Sequence, residues 1–164
     1  VKEQVLLGLG SNQGDSRAIL QAAVKELRTF LDDLEVSSLY RTKPQDYLEQ
    51  NDFYNLAVCG FFSGEPHDLL DLLHTIENKH GRIRPAPIIK GPRTLDIDIL
   101  FFGRKIINTD DLTVPHPAIA KRAFVLIPLL ELCPKYSDPI SGKLYAHILA
   151  LLPDQGVENI GSLH

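Results

Sequence analysis

The residues of this chain best suited to chemistry gather around one strand-like stretch, GPRTLDIDILFFG, from Gly91 to Gly103. Aspartate is depleted in strands because it favours turns and helix caps, yet Asp96 and Asp98 stand here at i and i+2. That spacing puts both on one face, roughly 7 Å apart at about 3.3 Å per residue, where they repel unless a cation lies between them. Paired hard oxygen ligands suit Mg2+, which takes one or two carboxylates and completes its octahedron with water and substrate phosphates. A rigid acid pair can also bridge two such ions roughly 3.5 to 4 Å apart, the geometry of phosphoryl and nucleotidyl transfer. For an isolated Asp-x-Asp, a solvated strand face is the plain alternative. Here the preceding loop carries Arg82, Arg84, Lys90 and Arg93, four cations within twelve residues. Guanidinium forks bind phosphate oxygens bidentately and stabilise charge in transfer, so acids and arginines together match a polyphosphate substrate.

Three further motifs carry less. In DFYNLAV, Phe53 and Asn55 share one strand face and Tyr54 takes the other; a ring beside an amide suits a flat heterocycle, and a core Phe beside a satisfied Asn fits equally well. VPHP puts His116 in a proline-fixed turn, where a structural or surface histidine is the ordinary case. GLGSNQGD supplies Gly8, Gly10 and Gly14 with no Lys-Ser/Thr after them, so it is neither a dinucleotide fingerprint nor a phosphate-binding P-loop. By itself it reads as a flexible turn before a helix.

The elements that must position these residues follow from the period of the apolar positions. Val5 to Leu9 reads as a short strand. A helix follows, with Asp15 or Ser16 as N-cap and Leu20, Val24, Leu27 and Leu31 on one stripe. Leu34 to Tyr40 and Asp52 to Phe62 read as two strands separated by a polar loop of about ten residues, long enough to suspect function. EPHDLLDLLHTIENKHG is a helix with Pro66 at its start, Leu69, Leu73 and Ile76 on one stripe and Gly81 as its stop. The loop RIRPAPIIKGPR leads into TLDIDILFF, where Leu95, Ile97, Ile99 and Phe101 form one face and Asp96, Asp98 and Leu100 the other. A turn at Gly103-Arg104 suggests a hairpin back through KII.

The order is β-α-β-β-α-β, the split βαβ or ferredoxin-like plan, with helices on one face of an antiparallel sheet. Two later helical stretches, AIAKRAFVLIPLLEL, broken at Pro128, and LYAHILALL, would cover the other face. The expected fold class is α+β, a three-layer α/β/α domain spanning residues 1–164.

Bulk properties set outer limits. The 164 residues, 44% hydrophobic and 23% charged, suit one globular domain. A net charge of -4 argues against a nucleic-acid or anionic-membrane footprint spread over the surface, so any anion site is local. Cys59 and Cys133 form no disulfide framework or metal spacing and read as buried, inert thiols, which fits a reducing, cytoplasmic setting. The longest apolar run, AFVLIPLLEL, is far below the ~20 residues of a membrane span, and the N-terminus lacks the order of a signal peptide. The chain contains no methionine, so Val1 is expected not to be the translated start, and fusion to another enzyme stays open.

Taken together, GLGSNQGD, YRTKP, FYNLAV, IENKHGRIR, GPRTLDIDILFFG, LTVPHP and KRAFVLIPLLEL closely resemble the 6-hydroxymethyl-7,8-dihydropterin pyrophosphokinases of folate biosynthesis. The likeness runs from about Val5 to about Leu132 and is most specific at GPRTLDIDI. It implies a ferredoxin-like fold and a transferase that moves pyrophosphate from ATP to the pterin hydroxymethyl group and releases AMP, acting as a monomer. Carried across, it makes Asp96 and Asp98 the ligands of two Mg2+ ions that clamp the triphosphate. Arg82 and Arg93 become the arginines that assist transfer, on a loop that closes as a lid. Glu77, Arg84, His116 and Arg122 bind the nucleotide or support its site. Phe53 and Phe124 sandwich the pterin, and Asn55 with the backbone near Thr42 meets its hydrogen-bonding edge. The sequence departs from the family pattern where relatives carry a tryptophan before Gly-Pro-Arg, at Pro117, and between Lys43 and Gln50.

Rival classes share parts of this pattern. Palm-type nucleotidyl transferases and cyclases also set paired acids on a ferredoxin-like sheet but need no pterin pocket. A small-ligand regulatory module would not need Asp96, Asp98 and the arginine loop together. An RNA-recognition sheet conflicts with the acidic balance and lacks the expected aromatic signature.

Overall fold

A computed structural model describes residues 1–44, 51–81 and 94–164 of the chain. The loop arginines Arg82, Arg84 and Arg93, together with Lys90, lie outside the described residues. The elements are β1 (Lys2–Ser11), α1 (Ser16–Leu27), β2 (Asp32–Val36), β3 (Tyr40–Thr42), β4 (Phe53–Ser63), α2 (Pro66–Lys79), β5 (Asp96–Phe102), β6 (Ile107–Asn108), β7 (Thr113–Val114), α3 (Ala123–Leu132), α4 (Tyr145–Ala150) and β8 (Glu158–Asn159). A 3-10 turn at Ile119–Lys121 precedes α3.

The main sheet runs β5-β1-β4-β3-β8, with β2 pairing a different stretch of β4. Among the described residues its strand pairings are antiparallel, which is the ferredoxin-like arrangement with its second strand divided in two. One face buries Val5, Leu7, Leu9, Leu56, Val58, Ile97 and Ile99 under the stripes of α1 and α2. The other buries Leu6, Cys59, Leu100 and Phe101 under Leu126 and Leu129 of α3 and Tyr145 of α4. The result is the expected three-layer α+β fold. Among the described residues no helix is long and apolar enough to cross a membrane.

α1 starts where Asp15 accepts the Ala18 N–H at 3.1 Å, an N-cap bond, and ends at Leu27; Leu31 is buried beyond it rather than in it. α2 has Pro66 in its first turn, Leu69, Leu73 and Ile76 buried, and Gly81 at φ +80 past its end, as the pattern predicts.

Several local expectations are corrected. The strand expected over Leu34 to Tyr40 is interrupted because Ser37 takes over the pairing: its N–H donates to Ala57 O and its hydroxyl accepts the Ala57 N–H, both at 2.9 Å. Phe101 does not share a face with Ile97 and Ile99. A bulge pairs Leu6 with Phe101 but Leu7 with Ile99, so Leu100 is the extra residue and the alternation flips beyond it. Phe102 therefore joins the α1/α2 core. No hairpin returns along β5, because β6 pairs with β7 and the Leu100 carbonyl accepts the His116 N–H at 3.2 Å. α3 runs through Pro128. An interior proline costs ~3 kcal/mol or more, and burial of Leu126 and Leu129, about 1.5 to 3 kcal/mol each, offsets it.

Candidate active site

β1 and β5 bring two glycines opposite the two acids: Gly10 pairs with Asp96 and Gly8 with Asp98. Across β1, the same two positions pair with Asn55 and Ala57 of β4. Directly paired residues share a face, so Asp96, Gly10 and Asn55 form one row and Asp98, Gly8 and Ala57 the next. The missing side chains on β1 leave open floor between carboxylates and amide. Gly8 and Gly10 are thus strand residues, and only Gly14, at φ +78, sits in the turn that follows. The period-two pattern of VLLGLGS already places Gly8 and Gly10 on one face, which was the legible signal.

That floor belongs to a cavity of about 530 Å3 lined by Gly8, Gly10, Thr42, Phe53, Asn55, Asp96, Asp98, Arg122, Phe124 and Gln155, among others. The volume suits a small organic molecule. Thr42 is buried and its hydroxyl accepts a hydrogen bond from Asn55 Nδ2 at 3.3 Å, which orients the amide. Phe53 comes from β4 and Phe124 from the first turn of α3, so the cavity has an aromatic ring from each layer. The Arg122 guanidinium lies 5.6 Å from the centre of the Phe124 ring, within cation-π range.

A second cavity, about 350 Å3, lies on the α2 side and is lined by Leu70, His74, Glu77, Asp110, Asp111, His116 and, again, Asp96 and Asp98. The acid pair stands at the junction of the two. Glu77 is 1% exposed, and its carboxylate accepts the Ile97 N–H at 2.7 Å. A buried hydrogen bond to the residue between the two acids fixes the strand that carries them. His116 Nε2 is 3.8 Å from Asp98 Oδ2, while Nδ1 accepts the Ala118 N–H at 3.2 Å. Burial, then the Arg122 charge, holds this imidazole below the usual histidine value, against the opposing pull of Asp96. The neutral ring accepting at Nδ1 carries its proton on Nε2, the nitrogen facing the acids.

Magnesium fits this donor set. Among the described residues no group of three or more His, Cys, Asp or Glu side chains forms a metal cage, whereas two carboxylates on a rigid strand, with Asp98 38% exposed, match an ion completed by water and phosphate oxygens.

Of the residues expected from sequence, Thr42, Phe53, Asn55, Asp96, Asp98, Arg122 and Phe124 meet in the first cavity, and Glu77 and His116 join the acids in the second. Arg122 thus lies beside the aromatic ring, not with Glu77. Gln155, more than thirty residues past Phe124, also lines this cavity, and no motif in the sequence marks it.

The family model for 7,8-dihydro-6-hydroxymethylpterin-pyrophosphokinase matches residues 6–134. A Pseudomonas aeruginosa 2-amino-4-hydroxy-6-hydroxymethyldihydropteridine pyrophosphokinase is 37% identical over 160 residues, 96% of this chain and 97% of the relative. The Pneumocystis carinii folic acid synthesis protein fol1 is 39% identical over 96% of this chain but 21% of its own length; the chain spans less than a quarter of the first curated relatives it matches. A crystal structure of an HPPK-DHPS in complex with substrates superposes with a TM-score of 0.71 at 16% identity, covering 91% of this chain and 43% of that one, a likeness of fold.

Proposed function

The chain belongs to the 7,8-dihydro-6-hydroxymethylpterin-pyrophosphokinase family, and from that premise we propose that it transfers the terminal diphosphate of ATP to the hydroxymethyl group of 6-hydroxymethyl-7,8-dihydropterin. The substrate hydroxyl oxygen bonds to the β-phosphorus and gives up its proton to solvent, the bond from that phosphorus to the bridging oxygen of the α-phosphate breaks, and AMP leaves. The observation that carries this reading is the acid pair shared by two cavities, one with rings and an amide and one with Glu77 and His116. A reaction between a flat heterocycle and a polyphosphate needs that junction.

In this reading Phe53 and Phe124 stack on the pterin, while Asn55, oriented by Thr42, reads its polar edge. Asp96 and Asp98 hold two Mg2+ ions, which supply Lewis-acid neutralisation of the phosphates. His116 presents its Nε2 proton to phosphate oxygen, Glu77 holds β5, and Arg122 adds positive charge at the junction. Arg82, Arg84 and Arg93 neutralise the transferring group and the nucleotide, an assignment supported by sequence likeness. The 1–164 chain is read as one pyrophosphokinase domain, monomeric and cytoplasmic; the six-stranded main sheet packed on both faces supports the one-domain part of that reading, and the free thiols of Cys59 and Cys133 fit the reducing compartment.

The test is AMP release from ATP and Mg2+ with and without the pterin. Pterin-dependent AMP is expected, and Asp96→Asn or Asp98→Asn should cut kcat by well over tenfold, more than about 1.4 kcal/mol of barrier, with unchanged urea midpoints. AMP formed equally without pterin, or none at all, would overturn the proposal.

A further inference from the structure

The first turn of α3 carries Arg122 and Phe124 into the cavity, yet its N-cap residue, Arg122, makes no side-chain cap bond. A helix start needs partners for its first N–H groups. For Ala123 that partner comes from the C-terminal tail: Gln155 Oε1 accepts the Ala123 N–H at 2.9 Å, and Gln155 Nε2 donates to Lys121 O at 3.0 Å. One side-chain amide thereby bridges the backbone on both sides of Arg122, at Lys121 and at Ala123, the residue directly before Phe124.

The tail that holds Gln155 is anchored on the opposite wall. Asp154 Oδ1 accepts the Gly156 N–H at 2.8 Å, with Gly156 at φ +71. Three residues past Gln155, β8 pairs Glu158 with Arg41 and Asn159 with Tyr40, and Arg41 and Glu158 form a 2.8 Å ion pair. Next along β3 is Thr42, paired with Phe53. The tail thus runs from the sheet wall that bears Phe53 to the helix wall that bears Phe124. It lies beyond the stretch the family model matches, which ends at residue 134.

We propose that Gln155 is a positioning residue that sets the distance and tilt of the Phe124 wall relative to the Phe53 wall, and so tunes pterin affinity without touching the phosphates. This rests on the pterin reading of the cavity. Gln155→Met keeps the bulk and removes both bonds; Gln155→Glu keeps an acceptor for Ala123 and loses the donor to Lys121. For Gln155→Met the pterin KM should rise about three- to tenfold, the range for losing one or two ordinary hydrogen bonds, with the ATP KM within about twofold; Gln155→Glu should fall between it and the parent. Amide hydrogen exchange at Ala123 should accelerate in Gln155→Met and stay near parental in Gln155→Glu. Unchanged Ala123 exchange in Gln155→Met would refute the bridge. Faster exchange with unchanged pterin KM, or with an equal rise in the ATP KM, would refute its positioning role. Should the parent turn over no pterin, the functional reading fails and the positioning role with it, while the exchange data still decide the bridge.

Discussion

Gly10 and Asn55 face each other across the β1–β4 ladder, and a methyl group added to Gly10 would lie 2.8 Å from Asn55 Oδ1. Real Cβ atoms do not tolerate that contact, and Asn55 is not free to retreat because its other amide atom is bonded to Thr42. At Gly8 the nearest atoms are Leu100 side-chain carbons at 3.5 Å, an ordinary contact. Gly10→Ala should therefore weaken pterin binding by about tenfold or more, the scale of one displaced polar group, while an ATP analogue binds within about twofold of the parent. Gly8→Ala should fold normally, with a urea midpoint near the parent's. Equilibrium titration of both variants with pterin and with the analogue checks this, and equal loss of both ligands in Gly10→Ala would mean that Asn55 does not read the pterin. Asp96, Asp98, Phe53 and Asn55 were legible because period two assigns them to a face without further information. The same rule covers Gly8 and Gly10, but a residue without a side chain suggests a turn before it suggests a floor.

At the scale of elements, legibility tracked whether local rules or distant partners decide the outcome. α2 was readable end to end because its proline start, apolar stripe and glycine stop are all local. The bulge at Leu100 was not, since a one-residue insertion is defined only against β1. α3 crosses Pro128 because distant groups hold it. Glu131, near its end, accepts the Ser38 N–H at 2.8 Å and the Tyr40 hydroxyl at 2.5 Å, tying the helix to β3 and the residues that lead into it. Glu131→Gln should lower unfolding free energy by about 1.5 kcal/mol, the low end for bonds to a charged group since Glu131 is exposed, read from urea unfolding. The same contact has a pH signature. Burial first, and then the Glu131 bond, pushes the Tyr40 phenol up to about 12. A raised phenol value favours the protonated group in the fold, so its contribution is complete below the ordinary tyrosine value of about 10 and is lost as pH climbs through about 12. Tyr40→Phe should show a shallower loss of stability across that alkaline window than the parent; an identical slope would remove Tyr40 from the account.

At the scale of the whole molecule, the two faces of the sheet divide the work, and the tail touches both. Past β8, Ile160 N donates to Leu39 O at 2.9 Å and Leu39 N to Gly161 O at 2.7 Å. Arg17 and Gln21 of α1 then donate to the Leu163 carbonyl at 3.1 and 2.8 Å. Leu163 itself is 1% exposed and packs in the α1/α2 core, on the face opposite the first cavity. Leu163→Ala should thus cost about 2 to 5 kcal/mol, the range for a buried leucine truncated in a core, seen as a lower urea midpoint. The cavity face should not register it: Gln155 lies upstream of β8, and the β3–β8 pairing that anchors it stays intact. At a temperature where the variant is fully folded, pterin and ATP KM should both remain within about twofold of the parent, below the ~1.4 kcal/mol that a tenfold change would represent. A selective rise in pterin KM would instead mean that the tail acts as one lever from α1 to α3, and that the sheet does not insulate the site from the core behind it.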